Sequence, residues 1–216
     1  MLRFPILLTN DDGINSPGLQ HLASSLHSLG HPIAILAPLT EQSAVGMKLT
    51  LRDNMAFEEH TDIAEKIRTD ESAPLRVFSL DGSPCDCVIV AIDGGLRSLA
   101  PEIRPWLCIS GINRGPNLSI DVLHSGTVSA AREASLYGLP SLSVSLATYS
   151  HQDYSQSIEA TLALVERLSE LVTVEPSNIL RPEGSRTRPI EGTGPNSLRS
   201  WFMQGNMFLN LNIPEN

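Results

Sequence analysis

Short apolar runs alternating with amphipathic stretches constrain this chain more than any other feature. Residues 4–8, 33–37, 106–109 and 141–147 read as strands, each rich in apolar side chains and each too short for a helix of ordinary length. Between them, Leu19, Leu22, Leu26 and Leu29 hold one helical face. Farther on, Ile158, Leu162, Val165, Leu168 and Val172 hold another, in a helix expected over 154–172. Strands regularly separated by such helices are the pattern of βαβ units around a mostly parallel sheet. A length of 216 residues suits one α/β domain.

Turn and cap chemistry sharpens the reading. Ser16-Pro17-Gly18 and Ser83-Pro84 each place Ser at a helix N-cap and Pro at the first position, and Gly30 stops the first helix. Residues 48–51, 55–58 and 75–80 read as shorter strands. The polar interval 59–74 reads as an exposed excursion. Residues 110–124 form a long Gly-, Asn- and Pro-rich loop, followed by a helix from about Ser125 to Gly138. Residues 173–206 lack a period and read as an irregular insertion, before a last strand over 208–213. No internal repeat is found.

Hydrophobic residues make up 41% of the chain and charged residues 18%, which allows a sizeable core. A net charge of -9 argues against a nucleic-acid polymer as partner, because phosphate backbones call for basic surface. A small phosphorylated ligand stays open where a bound cation supplies positive charge. Cys85, Cys87 and Cys108 are an odd set, without a signal-peptide pattern upstream, so reduced, buried thiols and a cytoplasmic location are expected. No run approaches the roughly 18 apolar residues of a membrane span, so no membrane partner is expected.

The first strand runs into Thr9-Asn10-Asp11-Asp12-Gly13. Adjacent carboxylates at the carboxyl end of a buried strand are costly to keep charged alone, and that edge of an open α/β sheet is where ligands sit. A hard divalent cation would neutralise both Asp11 and Asp12; a solvated Asp-Gly turn is the competing reading. Three more loops leave strand ends on the same edge. Residues 37–46 carry Ser43. Residues 110–117 carry Asn113 and Asn117, whose side-chain carbonyls can serve a hard cation or simply shape a turn. Residues 124–131 open a helix at Ser125-Gly126-Thr127, where unpaired N–H groups and two hydroxyls suit a phosphate, with plain N-capping as the alternative. His124 stands beside that helix start.

Several chemistries lack their motifs: there is no G-x-x-x-x-G-K-[ST], no G-x-G-x-x-G, no G-x-S-x-G and no H-E-x-x-H. Taken together, residues 6–13 with Ser16-Pro17-Gly18, Ala37-Pro38 with Ser43, residues 82–88, and residues 110–117 through Ser125-Gly126-Thr127-Val128 resemble the SurE (survival protein E) family of nucleotide phosphatases. The order and spacing hold over residues 5–147, and residues 209–214 look like a later family strand.

The resemblance implies a Rossmann-like three-layer α/β core with a smaller β-rich elaboration, and a metal-dependent 5'- or 3'-nucleotidase acting on nucleoside monophosphates. By position it implies one divalent ion per subunit, held by Asp11, Asp12, Ser43 and Asn113. Ser125, Gly126 and Thr127 would hold the phosphate, with Asn117 close by. Oxygen ligands favour Mg²⁺ or Mn²⁺ over Zn²⁺. Asp11 or Asp12 would take the proton of an attacking water. A nucleotide sensor and a metal-dependent nucleotide-sugar glycosyltransferase are the rival readings. The chain departs from the family at His124, where Tyr is usual, in the length of 173–206, and in stopping soon after the Asn-x-Asn-x-Pro strand. A homodimer or higher homo-oligomer is expected, with a shortened C-terminal arm.

Overall fold

The computed structural model describes residues 2–173, 198–203 and 205–214. Seven strands form one sheet: β1 Ile6–Thr9, β2 Ile33–Pro38, β3 Phe57–Glu59, β4 Leu75–Leu80, β5 Leu107–Arg114, β6 Ser141–Leu146 and β7 Leu209–Ile213. Their order is β3-β4-β2-β1-β5-β6-β7. All neighbours run parallel except β3 against β4. The chain leaves β1 for β2 and β4 on one side and returns to β5, β6 and β7 on the other. The strand order therefore reverses between β1 and β5, and in such sheets the crevice outside the strand ends at that point receives ligand.

Helices cover both faces. Alternate residues of a strand point to opposite sides, so Ile6 and Leu8 enter one core with Leu19, Leu22 and Leu26 of helix α1 (Pro17–Ser28) and with Val165 and Leu168 of a later helix. Leu7 enters the other core, with Cys87 and Val88 of a helix on the opposite face and with Ala130 and Ala134. The central strands are buried on both sides, which accounts for their near-continuous apolar runs. The three cysteines are buried and free. Burial pushes the Cys85 and Cys108 thiols up to about 12.

Two expectations in the 48–74 region are corrected. Residues 48–51 lie outside the sheet. They are held instead at the start of helix α3 (Pro84–Val90): the Lys48 carbonyl accepts from Ser83 Oγ at 2.6 Å, and Asp86 accepts from the Thr50 N–H and hydroxyl. The interval 59–74 is also not wholly exposed. It contains helix α2 (Thr61–Ile67), which buries Ile63, Ala64 and Ile67 while its polar residues face outward. His27 anchors the segment after α2, its Nδ1 accepting from the Thr69 and Asp70 N–H groups. With only β3 in strand form, the elaboration is a short strand and a helix.

The remaining helices are α4 Leu96–Leu99, α5 Asp121–His124, α6 Gly126–Leu136, α7 Ser155–Leu168 and α8 Leu198–Met203. A π-helical turn, Ala91–Gly95, joins α3 to α4. α8 falls inside the interval expected to be irregular; most of 173–206 lies outside the described residues. β5 extends five residues past the expected end at Ile109, because Ser110 to Arg114 pair with β6 across a register shift. Among the described residues no helix is long and apolar enough to cross a membrane.

Candidate active site

The turn after β1 is built by its own polar residues. Asn10 Nδ2 donates to the Gly13 carbonyl at 3.0 Å and to Ser16 Oγ at 2.7 Å. Gly13 takes φ +90°, a conformation that a side chain would resist. Ser16 caps α1 behind it. Asp11 and Asp12 are thus displayed at the strand end by a turn tied at both sides. The backbone of the next loop is tied to them as well: the Gln42 N–H donates to the Asp11 carbonyl at 2.7 Å.

The other loops converge as expected. Asp11, Asp12, Ser43, Asn113, Asn117, His124 and Ser125 all line one cleft of about 620 Å³. The Gly46 N–H donates to the His124 carbonyl at 2.8 Å, joining the second loop to the end of α5. Asn113 stands just beyond the register shift in β5, and Gly111 within that shift has φ +141°. Irregularities of this kind re-aim side chains near sites. Asn113 Nδ2 donates to the Gly115 carbonyl at 2.8 Å, which leaves its side-chain oxygen to serve a cation.

Asp11 is almost fully buried. It accepts from the Thr127 hydroxyl and from the backbone N–H groups of Gly126 and Thr127, at the positive end of α6. Burial nevertheless raises its pKa above the ordinary value, outweighing those donors. Burial is also the largest cause at Asp12, followed by the charge of Asp11; together they push its carboxyl up to about 6. The Arg114 N–H, 3.3 Å from Asp12 Oδ2, opposes the shift. Two carboxylates that each disfavour the other's charge form a site that a cation would stabilise.

The oxygen donors of Asp11, Asp12, Ser43 and Asn113 therefore fit a hard divalent cation. Ser43 Oγ presently donates to Glu41 Oε1 at 2.7 Å. Among the described residues no three His, Cys, Asp or Glu side chains gather as a metal cluster, so the neutral Ser and Asn oxygens are needed to complete this set.

The helix start behaves differently from the expectation. Ser125 lines the cleft and caps α6, its Oγ accepting from the Val128 N–H at 3.1 Å. Thr127 is fully buried, and its hydroxyl faces Asp11 instead of the cleft. Gly126 lies against Asp11: a Cβ there would come 2.7 Å from Asp11 Cβ. Both residues hold the carboxylate from behind. Asn117 is also committed. Its Nδ2 donates to Ser145 Oγ at 2.8 Å, its N–H donates to Asn212 Oδ1 at 2.8 Å, and its carbonyl accepts from Asn210 and Asn212.

Sequence reading missed several cleft residues, among them Asn15, Glu41, Arg114, Asp121, Tyr149, Gln152 and Tyr154. The alternating Asn residues of β7 were visible as a pattern, but their reach to Asn117 was not. Glu41, two residues before Ser43, and Arg114, next to Asn113, lie in the strand-end loops already singled out, so their placement could have been anticipated.

The Survival protein SurE family profile matches residues 6–216. The chain belongs to the SurE family. A SurE relative named 5'-nucleotidase SurE, from Syntrophotalea carbinolica, is 44% identical over 167 residues, covering 76% of this chain and 59% of that protein. The protein of the same name from Desulforudis audaxviator is 44% identical over 167 residues, covering 77% and 58%. The crystal structure of the SurE protein from Aquifex aeolicus superposes with a TM-score of 0.66 at 28% identity, over 98% of this chain and 66% of that one. The Rossmann-like α/β core is thus the SurE fold. This chain spans a little under three-fifths of the length of the two curated SurE relatives described.

Proposed function

We propose that this chain hydrolyses nucleoside monophosphates to nucleoside and phosphate, using one Mg²⁺ or Mn²⁺ ion held by Asp11, Asp12, Ser43 and Asn113. The observation that carries the reading is the convergence of these four oxygen donors with the start of α6 in one cleft at the β1/β5 reversal. The names of the SurE relatives supply the nucleotide as substrate class.

The cation would supply positive charge to the phosphoryl oxygens and make a water acidic enough to attack phosphorus. Asp12 is the carboxylate suited to accept that water's proton. It is less buried than Asp11 and has fewer hydrogen bonds to give up. Asp11 is held by Thr127 and the α6 backbone, which suits a fixed ligand. Ser125, at the head of α6, and Arg114 both line the cleft and would meet developing charge on the phosphoryl group. Asn117, fixed by Asn210, Asn212 and Ser145, presents a preset wall beside the substrate.

Phosphate release from a panel of nucleoside monophosphates, after metal stripping and with Mg²⁺ or Mn²⁺ restored, tests the reading. Release that depends on the ion is expected. Tight nucleotide binding without release in either ion would replace it with a sensor. The homodimer implied by the family resemblance is tested by light scattering on the same preparation.

A further inference from the structure

The cleft is larger than a phosphate and a cation need. A volume of about 620 Å³ lies among those of pockets that enclose whole small molecules. Without a cation its charges do not favour a phosphomonoester: Asp11, Asp12, Glu41 and Asp121 line it, against the Arg114 guanidinium, and an ion on Asp11 and Asp12 serves the phosphate alone. Binding beyond the phosphate must therefore come from uncharged parts of the ligand.

Two phenol rings line the cleft. Tyr154 is only 4% exposed and offers no free face, whereas Tyr149 is 66% exposed. An exposed tyrosine is ordinarily loose, but this one is placed. Gly115, at φ +109°, lies so close to the Tyr149 ring that any Cβ there would collide with it. The Tyr149 carbonyl accepts from Arg114 Nη2 at 3.3 Å, and the Arg114 N–H reaches Asp12, so the Tyr149 main chain is linked to the carboxylate pair through one residue.

The loop around Tyr149 is stitched internally. The Ser150 N–H donates to Thr148 Oγ1 at 3.1 Å, the Asp153 N–H to His151 Nδ1 at 3.0 Å, and the Ser155 N–H to Asp153 Oδ1 at 2.9 Å. Gln152 lies in that loop, exposed, and lines the same cleft. Its amide offers both a donor and an acceptor. A ring already seated against Gly115 loses little freedom when a ligand arrives.

We propose that Tyr149 and Gln152 form a nucleobase subsite, in which Tyr149 stacks on the face of the base and Gln152 hydrogen-bonds its edge. The ligand class is a planar heteroaromatic carried on a phosphorylated sugar. The subsite rests on the nucleotidase reading and deepens it, because it gives the uncharged part of the substrate a place beside the reacting phosphate.

Equilibrium binding of adenosine 5'-monophosphate and of ribose 5-phosphate, each in saturating Mn²⁺, tests it, with phosphate release followed in parallel. Wild type should prefer the nucleotide. Y149A should shrink that preference roughly tenfold, the scale of one base–aromatic stack, and Y149F should restore it. Q152A should reduce it by a smaller factor. Equal affinity of wild type for the two ligands would overturn the subsite, as would a preference that survives Y149A or collapses with H124A alone. Preference with no phosphate release would sustain the subsite and remove the nucleotidase reading, so the two fail separately.

Discussion

Across 116 residues of sequence, the Thr127 hydroxyl donates a hydrogen bond to Oδ1 of Asp11. The bond joins the first helix turn of α6 to the strand end of β1, and with the Gly126 and Thr127 N–H groups it holds the Asp11 carboxylate from the α6 side. Thr127→Val keeps the shape and removes the donor. Loss of a hydrogen bond to a charged group costs about 1.5–3 kcal/mol, so Mn²⁺ affinity should weaken roughly tenfold or more. Thr127→Ser should recover most of it. Calorimetric titration with Mn²⁺ on metal-stripped protein is the measurement; superimposed isotherms for wild type and the valine variant would remove Thr127 from any role in holding Asp11. Phosphate affinity at saturating Mn²⁺ should change less than metal affinity.

Gly126→Ala should be more damaging than a first helical residue usually is. The added methyl would sit 2.7 Å from Asp11 Cβ and 3.0 Å from its Oδ2, with the Gln42 carbonyl 3.2 Å away. The carboxylate can yield only toward the cleft, away from its donors on α6, and overpacking of this kind costs about 1–3 kcal/mol. Metal-dependent phosphate release should be lost while circular dichroism still reports a folded protein. Full activity would mean that Asp11 tolerates displacement.

The stability of metal-free protein should fall as pH rises from about 4 to about 7. The sign is set by Asp12, whose pKa rises from 3.8 to about 6 on folding. The folded state then binds the proton more readily than the unfolded chain, so stability declines with pH through that window and levels off above it. Asp11 is raised for the same first cause and acts in the same direction. Asp12→Asn should flatten the slope and raise the melting temperature at pH 7.5, while abolishing metal-dependent turnover. Thermal melts across this range with chelator present would show it; an unchanged slope in the variant would refute the assignment to Asp12.

Asn212→Ala should act on the site from the sheet edge. Asn212 accepts from the Asn117 N–H and donates to the Asn117 carbonyl at 3.2 Å. Neutral hydrogen bonds contribute about 0.5–1.5 kcal/mol each, so a modest loss of stability is expected. The informative signal is kinetic: KM should rise several-fold with kcat less affected, and because Asn212 holds the Asn117 main chain the loss should exceed that from Ser145→Ala, which frees only the Asn117 side chain. An unchanged KM in the Asn212 variant would show that it does not act on the site.

Much of this was legible along the chain. The apolar run ending in Asp11-Asp12-Gly13, the Ser-Pro helix starts and the stripe on α7 depend on neighbours a few residues apart, and periodicity records those directly. The convergence of Ser43, Asn113 and Ser125 was also inferable, because parallel strands bring their carboxyl ends to one edge. The errors have physical causes as well. Residues 48–51 resemble a strand but find their partners at the α3 cap, and α2 hides because only three of its seven residues need to be apolar to cover β4. The alternating serines of β6 carry no sign along the chain of what they meet. They are in fact buried, with hydrogen bonds to the Ala131 carbonyl, Asn210 and Asn117.

By itself the sequence determined the parallel α/β layering and the edge on which the polar loops gather, since both follow from local periodicity and strand direction. Tertiary structure alone decided where each side chain in those loops is aimed. A hydroxyl at a helix start can serve a ligand, a cap or a distant carboxylate with similar energy. For Thr127 the choice fell to Asp11 because the pairing of β1 with β5 brings the β1 turn against the first turn of α6, where a buried carboxylate without a donor would cost more than a vacant phosphate contact.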